Sequence, residues 1–322
     1  MSGESLDSTD VDILDLLESE GPMTISSIAF KIGRAKSMVW RRVSTLESLG
    51  LIRAKKVGGV TIVYRVYEKT APGVVTLGIL KASEYPYIID FARRLRGFFS
   101  EVKVRVYDEA FKLALDLSTN KVQIAMAPVP TLMLAHRISS GRVQIIGGGS
   151  GGGAFILESK RGGSGHATTM ASTMEMCSEK FKLEPPRVYK GGGGDILGSV
   201  LKGEVRHGVV WEPYAFMGRA RGLEAHPCDV SVCCLLGANK SVGGKFRAVS
   251  NSLKESIEDS RKGLESVDAY SSLLNLPREL VKETVKSYEF HAELPLDIVR
   301  SYWAYVKASV IPDVSLGEAV YF

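Results

Sequence analysis

Few of the features that place a chain in a class at once are present here. The 322 residues hold only four cysteines, Cys177, Cys228, Cys233 and Cys234. None forms a C-x-x-C pair and no histidine cluster accompanies them, which argues against a zinc site. Cys233 and Cys234 fall in the apolar run 230–236 and read as buried strand, with a thiol sensor as the alternative. There is no run of about 18 apolar residues, so no transmembrane helix is expected. Residues 1–20 lack the basic start and apolar centre of a signal peptide, and the expected location is the cytoplasm. A net charge of +5 is too slight to name a partner for the whole chain. What is present in quantity is glycine, 33 residues, clustered at 147–153, 162–165 and 191–194. Glycine lets backbone approach another group closely, so these clusters are expected at ligand loops or hinges. A hydrophobic content of 45% with 24% charged residues is that of a soluble globular protein, long enough for two or three compact units.

The first unit is small and helical. Residues 9–19 carry apolar side chains at Val11, Ile13, Leu14, Leu16 and Leu17, a helical spacing with Thr9 or Asp10 as the expected N-cap. Gly21-Pro22 ends it. A second helix enters through Thr24 and ends at Gly33. A third runs from about Ala35 to Leu49, with Val39, Val43, Leu46 and Leu49 facing inward. Strands are expected at 51–54 and 61–67, turning at Val57-Gly58-Gly59. Three helices and a hairpin make a winged-helix plan. The piece S-M-V-W-R-R-V-S-T-L-E-S-L-G-L-I resembles the recognition helix of MarR-, ArsR- and Lrp-like regulators, over residues 9–67. Between Lys31 and Arg65 nine residues are basic and the only acid is Glu47, a one-signed footprint for phosphates. Helical phase puts Lys36, Ser37, Trp40 and Arg41 outward, where the start of such a helix meets base edges. Arg34 and Arg42 join the DNA-contacting set, and Lys55 and Lys56 on the wing are expected at backbone phosphates. The alternative is a solvated basic face used for protein contacts.

After a linker at 69–72, strand and helix patterns alternate from Gly73 onward, the sign of a parallel-type α/β sheet. The most specific stretch is VYKGGGGDILGSVLKGEVRHGVVWEPYA. Asp195 is the expected N-cap of a helix over 196–201, and the strand 206–210 delivers Trp211-Glu212-Pro213-Tyr214 at its C-terminal end. This pattern resembles the signature of solute-binding proteins of the nitrate, sulfonate and taurine class, with Arg206 where that family usually has Asp. The resemblance spans roughly Gly73 to Cys234. It implies a type II periplasmic-binding-protein fold, whose two lobes close on a small ligand. The expected boundaries are 1–68 for the winged helix and 73–322 for the two-lobed domain, with lobe 1 at about 73–158 and 235–322 and lobe 2 at about 159–234. The expected hinge crossings are 155–158 and 230–236. The C-terminal helices, with Pro277, Pro295 and Pro312 as starts or breaks, are expected on lobe 1.

Ligands of open α/β sheets bind beside strand C-termini. The expected ligand-binding residues are therefore Ser83, Tyr85, Pro130, Thr131, Ser150, Gly151, Thr168, Thr169, Trp211 and Glu212. Ser164 to Thr169 is expected to open a helix that runs to about Phe181, with a ligand at its free N–H groups. His166 is expected either to cap that helix or to touch ligand. The glycine loops with Ser150, Ser164 and Thr168 suit an oxyanion such as a sulfonate, and Trp211 with Tyr85 suits a flat, pyrimidine-like ring. Glu212 is expected to bind a ligand cation, to latch the lobes through a basic partner, or only to order its loop. A winged helix followed by a two-lobed domain resembles LysR-type regulators in layout, although their long linker helix is missing. The resulting expectation is a non-enzymatic, ligand-responsive transcription regulator, without cofactor or metal, acting as a homodimer on double-stranded DNA. Two alternatives are an enzyme of the thiamine-pyrimidine synthase or menaquinone-pathway type, and a DNA-architectural scaffold.

Overall fold

The computed structural model describes residues 6–57, 60–66, 73–260, 266–300, 303 and 316–321. The linker at 69–72, the Gly58-Gly59 wing tip and Pro312 lie outside the described residues. The head comprises α1 (Ser8–Glu20), β1 (Met23–Thr24), α2 (Ile25–Lys31), α3 (Lys36–Ser48), β2 (Ile52–Val57) and β3 (Val60–Arg65). Its strands form an antiparallel sheet in the order β1-β3-β2. The N-cap of α1 is Asp7, not Thr9 or Asp10, because Asp7 and Asp10 cap each other's backbone N–H groups reciprocally. Thr24 caps α2 through the Ser27 N–H, as its position suggests. On α3, Val39, Val43 and Leu46 are buried against Ile13, Leu14 and Ile28. Glu47 accepts the Ala54 N–H at 2.8 Å and ties the end of α3 to the wing strand.

Beyond the head, the chain runs through β4 (Val74–Leu80), α4 (Ile88–Leu95), β5 (Glu101–Tyr107), α5 (Ala110–Ser118), β6 (Ile124–Pro128), α6 (Val129–Ile138) and β7 (Val143–Gly152). It then leaves for a second body made of β8 (Ala154–Glu158), β9 (His166–Thr168), α7 (Thr173–Lys180), β10 (Arg187–Tyr189), α8 (Gly193–Lys202), β11 (His207–Trp211), α9 (Tyr214–Arg219) and β12 (Glu224–Pro227). It returns with β13 (Cys234–Asn239), α10 (Phe246–Ser260), α11 (Val267–Leu274), α12 (Arg278–Thr284) and β14 (Tyr288–His291). The six-stranded sheet of lobe 1 has the order β14-β7-β13-β6-β4-β5, and the five-stranded sheet of lobe 2 the order β10-β9-β11-β8-β12. Neither sheet is purely parallel. β4 pairs in parallel with β5 and β6, while β13 runs antiparallel to both β6 and β7. The returning strand must re-enter lobe 1 from the cleft side, which reverses its direction.

The glycine run 147–153 is not a loop. Most of it is the second half of β7, squeezed between β13 and β14. A methyl group at Gly148, Gly149 or Gly151 would overlap the carbonyl oxygens of His291, Cys234 and Ser231 respectively. These glycines admit neighbouring protein backbone, not a ligand. The chain passes between the sheets at Gly152 and Gly153, whose φ angles are +81° and +68°. On its return it passes Asp229, at φ +46°, and Cys228, which is disulfide-bonded to Cys177 of α7.

The head docks on lobe 1 through α1. Asp15 pairs with Arg137 at the end of α6 and accepts from the Ser140 hydroxyl at 2.9 Å. Glu18 lies 3.8 Å from both Arg65 and Arg142, and the Arg65 guanidinium donates to the Ile138 carbonyl. Two acids of α1 are thus engaged within the chain.

Candidate nucleic-acid interface and interlobe site

The outward face of α3 carries Lys36, Ser37, Trp40 and Arg41, all exposed, with Arg34 just before the helix and Lys55 and Lys56 on β2. Among the described residues none of these cations is in an ion pair, so the face has one sign. Three other basic residues are spoken for. Lys31 pairs with Glu20 at 2.8 Å, and Arg65 is turned onto lobe 1. Arg42, expected at DNA, instead binds Asp10. Its Nε donates to Asp10 Oδ1 at 2.7 Å, and the Asp10 side chain has no solvent exposure. The burial raises the Asp10 pKa, and the Arg42 hydrogen bond opposes that shift. Arg42 directly follows the solvent-facing Arg41 and is turned from it by about 100° around the helix, and charge type alone does not distinguish the two.

The lobes are closed on each other. The Trp211 indole N–H donates to the Lys81 carbonyl at 2.9 Å, and the Thr131 hydroxyl to the Ala171 carbonyl at 2.7 Å. The Glu212 carbonyl accepts from the Ser83 N–H and the Tyr288 hydroxyl, both at 3.1 Å. Between them lies a cavity with a central space of about 20 Å3, room for about one water. Of the residues expected at a ligand, Thr169 and Trp211 line it. So do Glu84, Ser172, Thr173, Cys233, Cys234 and Tyr288, which sequence reasoning did not single out as cavity-lining. Ser172 and Thr173 escaped because 166–168 is the strand β9, and the helix begins only at Ser172, whose hydroxyl caps the Met174 and Glu175 N–H groups. Tyr288 escaped because it belongs to a strand that rejoins lobe 1 late in the chain.

Several other expected residues serve the protein instead of the cavity. Ser83 accepts from the Thr284 hydroxyl at 2.7 Å. Tyr85 is withdrawn into the core, its ring edge-on to Tyr87, and its hydroxyl has no partner. Pro130 is buried in the first turn of α6. Ser150 donates to Glu84 at 2.7 Å, and Gly151 abuts the Ser231 carbonyl. Thr168 is buried with an unpartnered hydroxyl, while Thr169 donates to Ser172. His166 faces the Glu184 carbonyl through Nδ1 at 2.8 Å. Asp195 stands inside the first turn of α8 rather than at its cap, which is Gly192, and Gly193 packs on the Tyr214 ring. Glu212 is fully buried, pairs with Arg219 and accepts the Phe216 N–H at 2.8 Å. It orders its own loop and α9, and burial raises its pKa against the opposing guanidinium. Arg206 pairs with Glu158 at the far end of β11 from Trp211, so this departure from the family pattern does not touch the cavity.

Among the described residues lining the cavity there is no Lys, Arg or His; the one carboxyl group is Glu84. Burial raises its pKa, opposed by the Ser150 hydrogen bond. The Cys233 and Cys234 sulfurs lie 3.1 Å apart beside it. Burial likewise pushes the Cys234 thiol well up.

The sequence matches a family model of winged helix-turn-helix DNA-binding domains over residues 6–53. No curated protein matches it. Among solved structures it is similar to the alkanesulfonate-binding protein SsuA of Xanthomonas axonopodis bound to MOPS, at 15% identity and TM-score 0.60, covering 79% of this chain and 99% of that one. A zinc-bound ligand-binding component of an ABC-type import system from Staphylococcus aureus is 14% identical with TM-score 0.60, covering 77% and 96%. The nitrate-binding protein NrtA of Synechocystis is 12% identical with TM-score 0.54, covering 67% and 71%. At such identities the likeness concerns the fold. The chain therefore joins a winged helix-turn-helix DNA-binding module to a two-lobed domain with the fold of ABC-type sulfonate- and nitrate-binding proteins.

Proposed function

We propose that the protein is a cytoplasmic, homodimeric transcription regulator whose DNA heads respond to a small ligand held between the lobes and released unchanged. One observation carries the reading: α6 touches both sites. At its start the Val129 N–H donates to the Cys233 carbonyl at 3.0 Å and Thr131 holds Ala171 across the cleft. At its end Arg137 and the Ile138 carbonyl hold α1 and Arg65 of the head. Ten helical residues span about 15 Å. The Thr131 latch exists only with the lobes shut, so closure and head orientation share one rigid element. A ligand biases that element only through its differential affinity for open and closed states. A single winged helix reads a short half-site, which supports two heads per functional unit. Phe30, 87% exposed on α2, is an apolar contact available for pairing.

The test is selection of duplexes from a random pool by the full chain. A dyad-symmetric site enriched over bulk DNA, with Arg137→Ala retaining that site, supports the reading. Failure of any duplex to outcompete bulk DNA refutes it. Mass spectrometry of the native protein after incubation with candidate ligands separates an unchanged effector from a converted substrate.

A further inference from the structure

Resting on that reading, we propose that the ligand closing the lobes is a thiophilic d10 metal ion, held by Glu84, Cys233 and Cys234. The three side chains come from the loop after β4 and from the entry of β13, and their ligand atoms all lie within 4.8 Å of one another. Each is buried, Cys234 completely. All three line the interlobe cavity, whose central space of about 20 Å3 suits an ion with a water and not an organic sulfonate. No Lys, Arg or His lines that space among the described residues, so an oxyanion there would meet the Thr169, Ser172 and Thr173 hydroxyls and the Glu84 carboxyl with no cation to balance its charge. A metal ion reverses that problem. Two thiolates and a carboxylate are a soft, anionic donor set of the kind that selects zinc-like or cuprous ions over calcium or magnesium.

The Tyr85 and Tyr87 phenols, both fully buried, pack around the cluster, and Glu84 and Cys234 are among the groups whose charge acts on both. The geometry needs only local adjustment. Bonds of about 2.3 Å to sulfur in a tetrahedral site set two sulfurs about 3.8 Å apart, against 3.1 Å here. Side-chain rotation supplies that change. Ser150 holds Glu84 Oε1 at 2.7 Å and orients the carboxylate, as outer hydrogen bonds do at metal sites. On binding, each thiol gives its proton to bulk water as its metal–sulfur bond forms. Across the cleft the Thr173 hydroxyl of lobe 2 lies 3.4 Å from the Cys233 sulfur, so it or a water it holds would complete the coordination. An ion at this point therefore draws the second lobe onto the first.

The experiment uses the full chain, kept reduced with a non-chelating phosphine. Zinc ion is titrated against a chromophoric chelator, and cadmium ion is added in parallel to read thiolate charge transfer in the ultraviolet. The expected result is one ion per chain, bound at submicromolar concentration, with sulfur charge transfer. Affinity falls at least a hundredfold in Cys234→Ser and at least tenfold in Glu84→Gln. The double variant Cys233→Ser/Cys234→Ser keeps Cys177 and Cys228 and serves as the control for binding elsewhere. Its far-ultraviolet dichroism confirms folding. Binding weaker than about 10 μM in the wild type, or full-affinity binding in the double variant, overturns the proposal. So does a bound ion that leaves the scattering-derived radius of gyration unchanged, since closure is the claimed consequence. DNA affinity is measured separately. If the ion binds and compacts the chain but no duplex is bound with or without it, the regulator reading fails and the site stands.

Discussion

Replacing Arg42 by Ala distinguishes a structural cation from a DNA contact. The Asp10 carboxylate has no exposure, while the Arg42 side chain retains 14%. Removing one partner of a buried pair costs about 3–5 kcal/mol, because the other charge is left uncompensated. Residual wetting of the guanidinium and the carboxyl's ability to take up a proton place this pair at the lower end, about 3 kcal/mol. That is roughly a hundredfold in an opening constant. The assay is native-state hydrogen exchange at the amides of α1 and α3, which reads head opening within the full chain. Arg42→Ala is expected to exchange there about a hundredfold faster, with lobe 2 unchanged. Arg42→Met combined with Asp10→Leu is expected to recover part of the loss, since an apolar replacement of both partners leaves no buried orphan charge, while the Asp7 N–H loses its Asp10 acceptor. Unchanged protection in Arg42→Ala, together with weaker DNA binding, would refute this reasoning and return Arg42 to the interface.

Lys36→Ala with Arg41→Ala is expected to cost about 1–3 kcal/mol per base contact on the selected site, whereas Lys55→Ala with Lys56→Ala weakens all sequences and lowers the slope of log affinity against log salt by about 2. Both are read by gel shift over a salt series, and a slope unmoved by the wing pair excludes it from phosphates. Gly149→Ala puts a methyl into the Cys234 carbonyl and is expected to cost about 3 kcal/mol or more, while Gly198→Ala, in α8 with open space around it, is expected to stabilise by about 0.5–1 kcal/mol; urea midpoints decide both. Burial lowers the His136 pKa below its ordinary 6.5, against the bond its Nδ1 makes to the Val143 carbonyl. The unfolded chain then takes up a proton near that value while the fold does not, so stability is lost as pH falls below about 6.5. His136→Gln is expected to show a smaller loss than wild type between about pH 7.5 and pH 5.5. An equal loss in both would assign the effect to other groups, of which His207, also lowered by burial, is the first.

The legible parts of this chain were those governed by local rules. The inward stripe of α3 follows from helical period alone, and Val39, Val43 and Leu46 are buried as that period requires. Trp211 was placed at a cleft because strand ends in α/β sheets converge there, and it lines the cavity. Readings that depended on a distant partner failed. Arg42 looks like its neighbour Arg41 until Asp10, in another helix, is known. Glycine runs announce close approach without saying to what, and at Gly148, Gly149 and Gly151 the approaching group is protein carbonyl. Glu84 was overlooked between Ser83 and Tyr85 because its significance comes from Cys233 and Cys234, which only the returning strand brings beside it. The Cys177–Cys228 bond was equally invisible, since four cysteines allow several pairings.

The two passages between the lobes differ in freedom. Gly152 and Gly153 hold left-handed backbone at little cost and have no side chains to clash as the angle changes. The return passage is bound twice to lobe 2: Cys228 is bonded covalently to Cys177, and the Lys180 ammonium grips the Cys228 and Asp229 carbonyls at 3.3 and 3.4 Å. The two passages are also tied to each other, the Gly152 N–H donating to the Val230 carbonyl at 2.6 Å. Cutting the disulfide by reduction would remove the covalent tie of the return passage to lobe 2 and leave the Lys180 contacts to hold it. Thiols are kept reduced in most cytoplasms, and intracellular disulfides persist chiefly in hyperthermophiles. The stiffness of the return passage thereby follows the redox state of its surroundings.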